Sequence, residues 1–569
     1  MITMKVDACI RGTMWRVKMP WRTWRRLIAP ALFLLGLQNM ALAQTPAATT
    51  SCANLARLRL PDTTVTMATL VRTGEFQMPP SQMLVPKGPG APGVPDAPGT
   101  AVTAASQDGP GRDNPFAPKV DTKTLPEFCR VAATLAPTGD SSIRIEVWLP
   151  TATWNGKFLG LGNGGMAGSI VYAGGMALGL IDALRLGYAA VNTDAGHDAA
   201  QDKASGSFLL GHPEKQIDFG YRANHLMTLR AKEFINAFYG AAPKYSMFIG
   251  CSLGSQEAMS EAKRYPDDYD GVIAGAAMNQ VAQFNAAQIW PAVLIARAPE
   301  KALGRTSIDA IHKAMMASCA TALDKRQGFL QDPAACHFDP KSMLCKGAAT
   351  TDCLTAPQAE FASQIYQGPV NPRTGEVIFP GPAPGAEGQW DMVTGTSADS
   401  SWIGLYRYGV LGNPDWDWTT MDFDKDVNLA IQKVGAYMHT DADLDAFFHR
   451  DGKLMIYIGW EDYHNPVDTI RYYQQIVKNA GPAKADLVRL FVVPGMGHCF
   501  GGDGCGNFDK VAAMDKWVAT GTAPDEMLST RVSDGQVVMS RPLCAYPAVA
   551  RYKGAGDINI AVNFYCVAP

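Results

Sequence analysis

Charge is scarce in this sequence and almost balanced: of 569 residues 18% are charged, and the formal net charge is -3. No basic patch with interleaved aromatics follows the N-terminal region, so there is no electrostatic case for nucleic acid. The paired C-x-x-C spacing of a zinc site is missing, as are H-E-x-x-H and the EF-hand pattern. No internal repeat occurs, and the longest apolar run of the N-terminal region, LIAPALFLLGL, is too short to span a bilayer. What the chain does have is apolar content, 47% hydrophobic, with 55 glycines and 38 prolines. That is enough for one large core or two smaller ones, and the nearly balanced charge points to small or neutral molecules as partners.

Residues 1–43 differ from the rest. Lys5, Arg11, Arg16, Lys18, Arg22, Arg25 and Arg26 precede the apolar run, and Ala41-Leu42-Ala43 follows it. This is the order of a basic n-region, an h-region and an A-x-A cleavage site, with Met14 or Met19 as possible starts. The expected mature protein begins near Gln44, is secreted or periplasmic, and has no membrane attachment after cleavage. Export makes cysteines disulfide partners rather than metal ligands. Without Cys9, eleven remain, an odd number that leaves at least one unpaired within the chain.

From Gln77 to Lys119 the chain is rich in proline and glycine (PKGPGAPGVPDAPG) and reads as a surface excursion. Beyond it apolar strands and amphipathic helices alternate: KFLGL (157–161), a helix over 176–186, a strand at 188–191, a helix over 221–239, and strands at 245–249 and 271–274. This order predicts an α/β fold with a parallel sheet. The rhythm breaks after about residue 278, where segments such as FPGPAPGAEGQWDMVTG occur, and returns near 438. KLMIYIG (453–459), a helix over 467–478, VRLFVV (488–493) and a helix over 508–519 then follow. One fold interrupted by an insertion is the economical reading, divided as 44–278, 279–438 and 439–569.

The stretch FIGCSLGSQEA (248–258) contains G-x-S-x-G after an apolar strand and before a helix-compatible run, the context that places Ser252 on a sharp strand-to-helix turn. Such a serine needs a general base, and the base needs a carboxylate. Asp462 follows KLMIYIG and His498 follows VRLFVV, both at C-terminal strand ends, where α/β sheets present their chemistry. Glu461 is the rival acid, and His464 and His197 are rival histidines. The order Ser252, Asp462, His498 is that of α/β-hydrolases. If Ser252 comes within about 3 Å of the His498 ring, Cys251 and Cys499 become near enough to bridge. Such a disulfide would contribute on the order of 5 kcal/mol on the chain-entropy model.

With GNGGMAG (162–168), NTDAGH (192–197), GCSLG (250–254), DLDAFFHRDGKLMIYIGWED (443–462) and PGMGHCFGGDG (494–504), the chain resembles the tannase and feruloyl esterase family of α/β-hydrolases. That family also contains mono(2-hydroxyethyl) terephthalate hydrolase. The resemblance implies an α/β-hydrolase fold with a large inserted lid domain, Ser252, Asp462 and His498 as triad, and Cys251 with Cys499 as active-site disulfide. It also implies the pairs Cys52–Cys129, Cys319–Cys336, Cys345–Cys353 and Cys544–Cys566, with Cys505 left over. Family lids carry an aspartate-rich calcium loop. Here its positions read CATALDKRQGFLQDP (319–333), with Ala320, Leu323 and Gln327 at three aspartate positions. No cofactor and no metal are therefore expected. SQEA after the elbow, where the family has G-R-Q-A, is the second departure.

The oxyanion hole is expected from the Leu253 N–H and from Gly164 or Gly165. The expected function is that of a secreted serine carboxylic ester hydrolase acting on small esters of aromatic acids, feruloyl or galloyl. A terephthalate monoester hydrolase and a non-catalytic binding protein are the alternatives. Trp390 and Trp402, with Tyr406, Tyr408, Trp416 and Trp418, could pack on an aromatic acyl group or form the lid's own core. Arg407 could meet a substrate carboxylate or phenolic oxygen.

Overall fold

The computed structural model describes residues 50–79, 121–174, 177–348, 350–390, 394–395 and 400–568. The expected export segment and most of the proline-rich excursion lie outside the described residues. A mixed sheet of nine strands forms the frame. In chain order these are β1 Thr63–Val71, β2 Phe128–Leu135, β3 Ile143–Pro150, β4 Phe158–Leu161, β5 Ala189–Thr193, β6 Ser246–Cys251, β7 Gly271–Gly275, β8 Lys453–Gly459 and β9 Val488–Val493. Their spatial order is β1-β2-β3-β5-β4-β6-β7-β8-β9. The pairs from β1 through β3 to β5 are antiparallel, and those from β5 to β9 are parallel. This is the α/β-hydrolase arrangement, with one end of the sheet antiparallel.

The composition of the strands follows from what covers them. Every residue of β4, β6, β7 and β8 is buried, as expected of strands sandwiched between helices. On one face the helices Ala223–Tyr239, Leu253–Arg264 and Pro466–Ala480 contribute Met227, Phe234, Met259 and Ile476 to the core. On the other, Leu180–Arg185 and Lys510–Thr520 contribute Leu184, Met514 and Trp517. The helix expected over 176–186 begins only at Leu180, because the Asp182 carboxylate accepts from the Gly179 and Gly174 N–H groups and stops it there. Phe508, expected at a helix start, lies instead in a short strand, β10 Asn507–Phe508, which pairs with the hairpin β11 Glu526–Ser533 and β12 Gln536–Cys544.

Between β7 and β8 the chain leaves the sheet for a mostly helical segment that includes Val281–Arg297, Arg305–Cys319, Ala356–Gln367 and Lys425–Lys433. Part of this segment has an apolar cluster of its own, with Ile308, Ile311, Phe361, Ile365 and Trp390. Its two ends meet: the Thr440 N–H donates to the Asn279 carbonyl at 3.2 Å, and the Ala282 N–H donates to His439 Nε2 at 3.1 Å.

The structure pairs Cys52–Cys129, Cys251–Cys499, Cys319–Cys336, Cys345–Cys353 and Cys544–Cys566, with Cα–Cα distances from 5.0 to 6.0 Å. Cys505 is a buried free thiol. Among the described residues no helix is long and apolar enough to cross a membrane.

Candidate active site

Ser252 stands between β6 and the helix Leu253–Arg264 at φ 63°, ψ -128°. A non-glycine residue tolerates such a backbone only where its surroundings hold it. The flanking glycines show how tightly they do. A Cβ on Gly250 would lie 2.1 Å from the Gly254 carbonyl oxygen, and one on Gly254 would lie 2.7 Å from that of Asn163. Only glycine lets the three backbone segments approach so closely, which is the physical content of G-x-S-x-G here.

Two of the three residues after the elbow where this chain departs from G-R-Q-A, Ser255 and Gln256, serve the turn itself. The Ser255 hydroxyl oxygen lies 2.6 Å from the Ser252 carbonyl oxygen and accepts from the Met278 N–H at 3.0 Å, tying the elbow to the segment after β7. Gln256 Nε2 donates to the carbonyls of Gly220 and Met438 at 2.9 and 3.1 Å.

His498 and Asp462 project from the turns after β9 and β8. His498 Nδ1 lies 2.8 Å from Asp462 Oδ1, and both residues are buried. With Nδ1–H donating to the carboxylate, Nε2 keeps its lone pair. The same Asp462 oxygen accepts from the His464 N–H at 2.8 Å. The loops bearing Asp462 and His498 are joined by backbone as well, the Glu461 N–H donating to the Met496 carbonyl at 3.0 Å. Of the adjacent acids, Asp462 is therefore the one joined to His498. Burial, aided by the nearby Asp503 charge, pushes the Glu461 carboxyl up to about 8.

The Cys251–Cys499 disulfide links the residue before Ser252 to the residue after His498, with a Cα–Cα distance of 6.0 Å across 248 positions. His498 Nε2 lies 3.7 Å from Cys499 Sγ.

The loop Gly162–Gly168 lies against the start of the elbow helix. The Gly254 N–H donates to the Asn163 carbonyl at 3.1 Å, so it is engaged there, and the Leu253 N–H is the helix-end donor beside Ser252. Gly165 has φ 56°, and the Gly164 carbonyl accepts from Ala167. Glu257 holds this loop from behind. Its carboxylate accepts from the Asn163 N–H at 2.7 Å and the Asn163 amide at 3.2 Å. Asn192 extends the chain of bonds, its amide donating to Asn163 Oδ1 at 3.2 Å. Burial raises the Glu257 pKa, and its bonds to Asn163 oppose that shift. Sequence reasoning missed this group; its one signal was the unusual acid in SQEA.

An aromatic wall adjoins His498. The Tyr463 ring lies 4.6 Å from it and the His464 ring 4.1 Å, while Phe284 contacts His464 at 4.2 Å and Trp402 at 5.5 Å. His464 is kept neutral by its burial, with its ring against His498. His197 is buried against Gly168, at the end of the Gly162–Gly168 loop, and stacked on Phe208 at 3.6 Å. Trp402 thus belongs to the wall. Trp390 does not: it is fully buried in the inserted segment, packed on Tyr366 at 5.0 Å. Arg407 lies half-buried in the turn Leu405–Val410, its guanidinium carbon 6.0 Å from the Tyr408 ring.

The loop aligned with the family calcium site does not fit that ion. Asp324 already faces four donors, the Thr321 N–H at 2.9 Å, its hydroxyl at 2.7 Å, the Gln331 N–H at 3.1 Å and Gln327 Nε2 at 3.3 Å. Gln327 Oε1 accepts from the Arg541 guanidinium at 3.2 Å. Calcium needs six to eight oxygen ligands, and this loop directs donors and a cation where those ligands would be. Among the described residues one other group, His225, Glu261 and Asp268, brings possible ligand atoms within 4.8 Å of one another. Lys232 already brings a positive charge there, donating to the Asp268 carbonyl at 2.5 Å.

The model of the tannase and feruloyl esterase family matches residues 129–567. An esterase of Xanthomonas campestris pv. campestris is 34% identical, covering 93% of each chain. The mono(2-hydroxyethyl) terephthalate hydrolase of Piscinibacter sakaiensis is 31% identical over 78% of this chain and 85% of its own. Among solved structures, feruloyl esterase B from Aspergillus oryzae superposes with a TM-score of 0.75 at 26% identity, covering 91% of this chain and 99% of that one. The Ser252 elbow, the hydrogen-bonded Asp462 and His498 and the disulfide between the two loops thus sit in a chain that belongs to the tannase and feruloyl esterase family, and the protein is a carboxylic ester hydrolase of α/β-hydrolase fold.

Proposed function

We propose that this esterase is an exported enzyme that cleaves esters of aromatic acids through Ser252, His498 and Asp462. The observation that carries the reading is the Asp462–His498 hydrogen bond on a loop cross-linked to the Ser252 elbow. His498 Nε2 accepts the Ser252 proton as the hydroxyl attacks the ester carbonyl. The Leu253 N–H, with that of Gly164 or Gly165, receives the oxyanion. The proton then passes from His498 to the departing alkoxide, which leaves as the alcohol. Water, deprotonated by His498, attacks the acyl-enzyme and releases the acid and free Ser252. Asp462 orients the ring and stabilises its imidazolium throughout.

The substrate class is read from the aromatic cluster of Tyr463, Phe284 and Trp402 beside His498, an apolar aromatic surrounding that suits a planar acyl group such as feruloyl or galloyl. The likeness to the terephthalate monoester hydrolase supports the second reading, in which the acyl group carries a further carboxylate. Export is supported by the five disulfides, and the enzyme is proposed to work without a calcium ion. The inserted segment is read as the lid that shapes the pocket. The deciding experiment is a panel of methyl gallate, methyl ferulate, terephthalate monoester and simple alkyl esters, run beside Ser252→Ala. Hydrolysis surviving that substitution removes the mechanism, and preference for alkyl esters removes the substrate class.

A further inference from the structure

We propose a binding site for one small monovalent anion, chloride, at Arg541, between the loop 324–331 and the hairpin β11–β12. Three independent observations lead there.

Arg541 is only 5% exposed, and among the described residues no carboxylate comes within ion-pairing distance of it. Its Nη1 donates to the Ser540 carbonyl and its Nη2 to Gln327, both uncharged, while Nε is buried without a partner. A buried charge with no counter-charge is costly. Burial lowers the Arg541 pKa, and the charges of Cys505 and Asp557, which act the other way without forming an ion pair, offset only part of that shift. The Phe564 ring face, 4.0 Å from the guanidinium carbon, offsets only part of the cost.

Beside this guanidinium is a cavity of about 20 Å³ lined by Phe329, Gln331, Cys505, Ser529 and Arg541, among others. On the same measure roughly 10–15 Å³ already holds one water, so a single chloride-sized particle fits. The lining contains no acidic side chain.

The third observation is a second orphan. Gln331 Nε2 is also buried without a partner, and Gln331 lines the same cavity. Two buried donors without partners, one of them cationic, belong to residues that line a cavity with no acidic side chain, which favours an anion over a cation. The bound ion would bridge the inserted segment, through Gln331, to the catalytic domain's C-terminal hairpin, through Arg541.

The test is thermal unfolding of the full-length disulfide-bonded protein at constant ionic strength, with sodium gluconate replaced stepwise by sodium chloride or sodium bromide. The expected result is a saturable single-site rise in melting temperature, on the order of a degree or two, that is absent in Arg541→Met. Identical melting in gluconate and chloride, or an unchanged halide response in Arg541→Met, overturns the proposal. Should Arg541→Met fail to fold, Gln331→Leu takes its place and should raise the chloride midpoint several-fold. A bromide-soaked crystal gives the direct readout: an anomalous peak in the cavity lined by Arg541 and Gln331 supports the site, and an ordinary water there overturns it.

Discussion

Asn163 and Glu257, 94 positions apart, meet out of solvent: one carboxylate receives both the backbone N–H and the side-chain amide of one asparagine. The loop that carries Gly164 and Gly165 is thereby fixed to the helix that starts at Leu253, just after Ser252. Replacing Glu257 by leucine strands two buried donors, at a cost of about 1–3 kcal/mol. The expected outcome is a fall in kcat of roughly ten- to a hundredfold with KM little changed, because the loop's donors are proposed to meet the oxyanion and not the ground state. Glu257→Gln keeps one acceptor and should fall between. A loss of thermal stability with kcat intact would assign Glu257 to folding alone.

The two adjacent acids should separate cleanly. Asp462→Asn breaks the bond that orients His498 and is expected to lower kcat by roughly 10⁴. Glu461→Gln should leave kcat within a few-fold. Steady-state rates on one ester decide between them, and equal losses would contradict the acid assignment.

Glu461 should also leave a mark on stability. Its carboxyl is raised from 4.5 to about 8 in the folded chain, so between those values the folded state holds a proton that the unfolded state has released. Stability attributable to this group is therefore present below pH 4.5 and is lost as pH rises towards 8. Glu461→Gln removes the titration, and thermal melts of the variant should fall less steeply than wild type across that window.

Reducing the Cys251–Cys499 bond should reduce activity before the fold is lost, since the bond joins the neighbours of Ser252 and His498 while the sheet beneath is held by β6 to β9. Paired serine substitutions at 251 and 499 test this without disturbing the other four disulfides. Far-ultraviolet circular dichroism should stay native while kcat falls, and full activity in the doubly substituted protein would refute the role of the bond.

The parallel half of the sheet was legible because β4, β6, β7 and β8 are buried on both faces and so read as unbroken apolar runs. β2 and the start of β11 alternate in burial, while β1 and the first residues of β12 are exposed or half-buried, so none of the four reads as an unbroken apolar run. At the site, chain order placed Ser252, Asp462 and His498 after their strands, yet Glu461 and Asp462 differ only in which way a side chain leaves one turn. No spacing rule reports that. Trp390 and Trp402 looked alike in sequence, and packing sent one into a core and the other towards His498. The bond between Glu257 and Asn163 joins residues from different loops, so it had no local pattern to announce it.

β7 and β8 are hydrogen-bonded neighbours although the whole inserted segment lies between them. Closing so long a loop costs on the order of 5 kcal/mol if the loop is slack. It is not slack: the bonds between Thr440 and Asn279 and between Ala282 and His439 draw its ends together, so the sheet registers only a short gap. Residues between those ties can lengthen, shorten or be exchanged for another protein's without changing strand register. With the inserted segment shaping the pocket as proposed, a change in it would alter which ester is accepted while the turns that carry Ser252, Asp462 and His498 keep their places on the sheet.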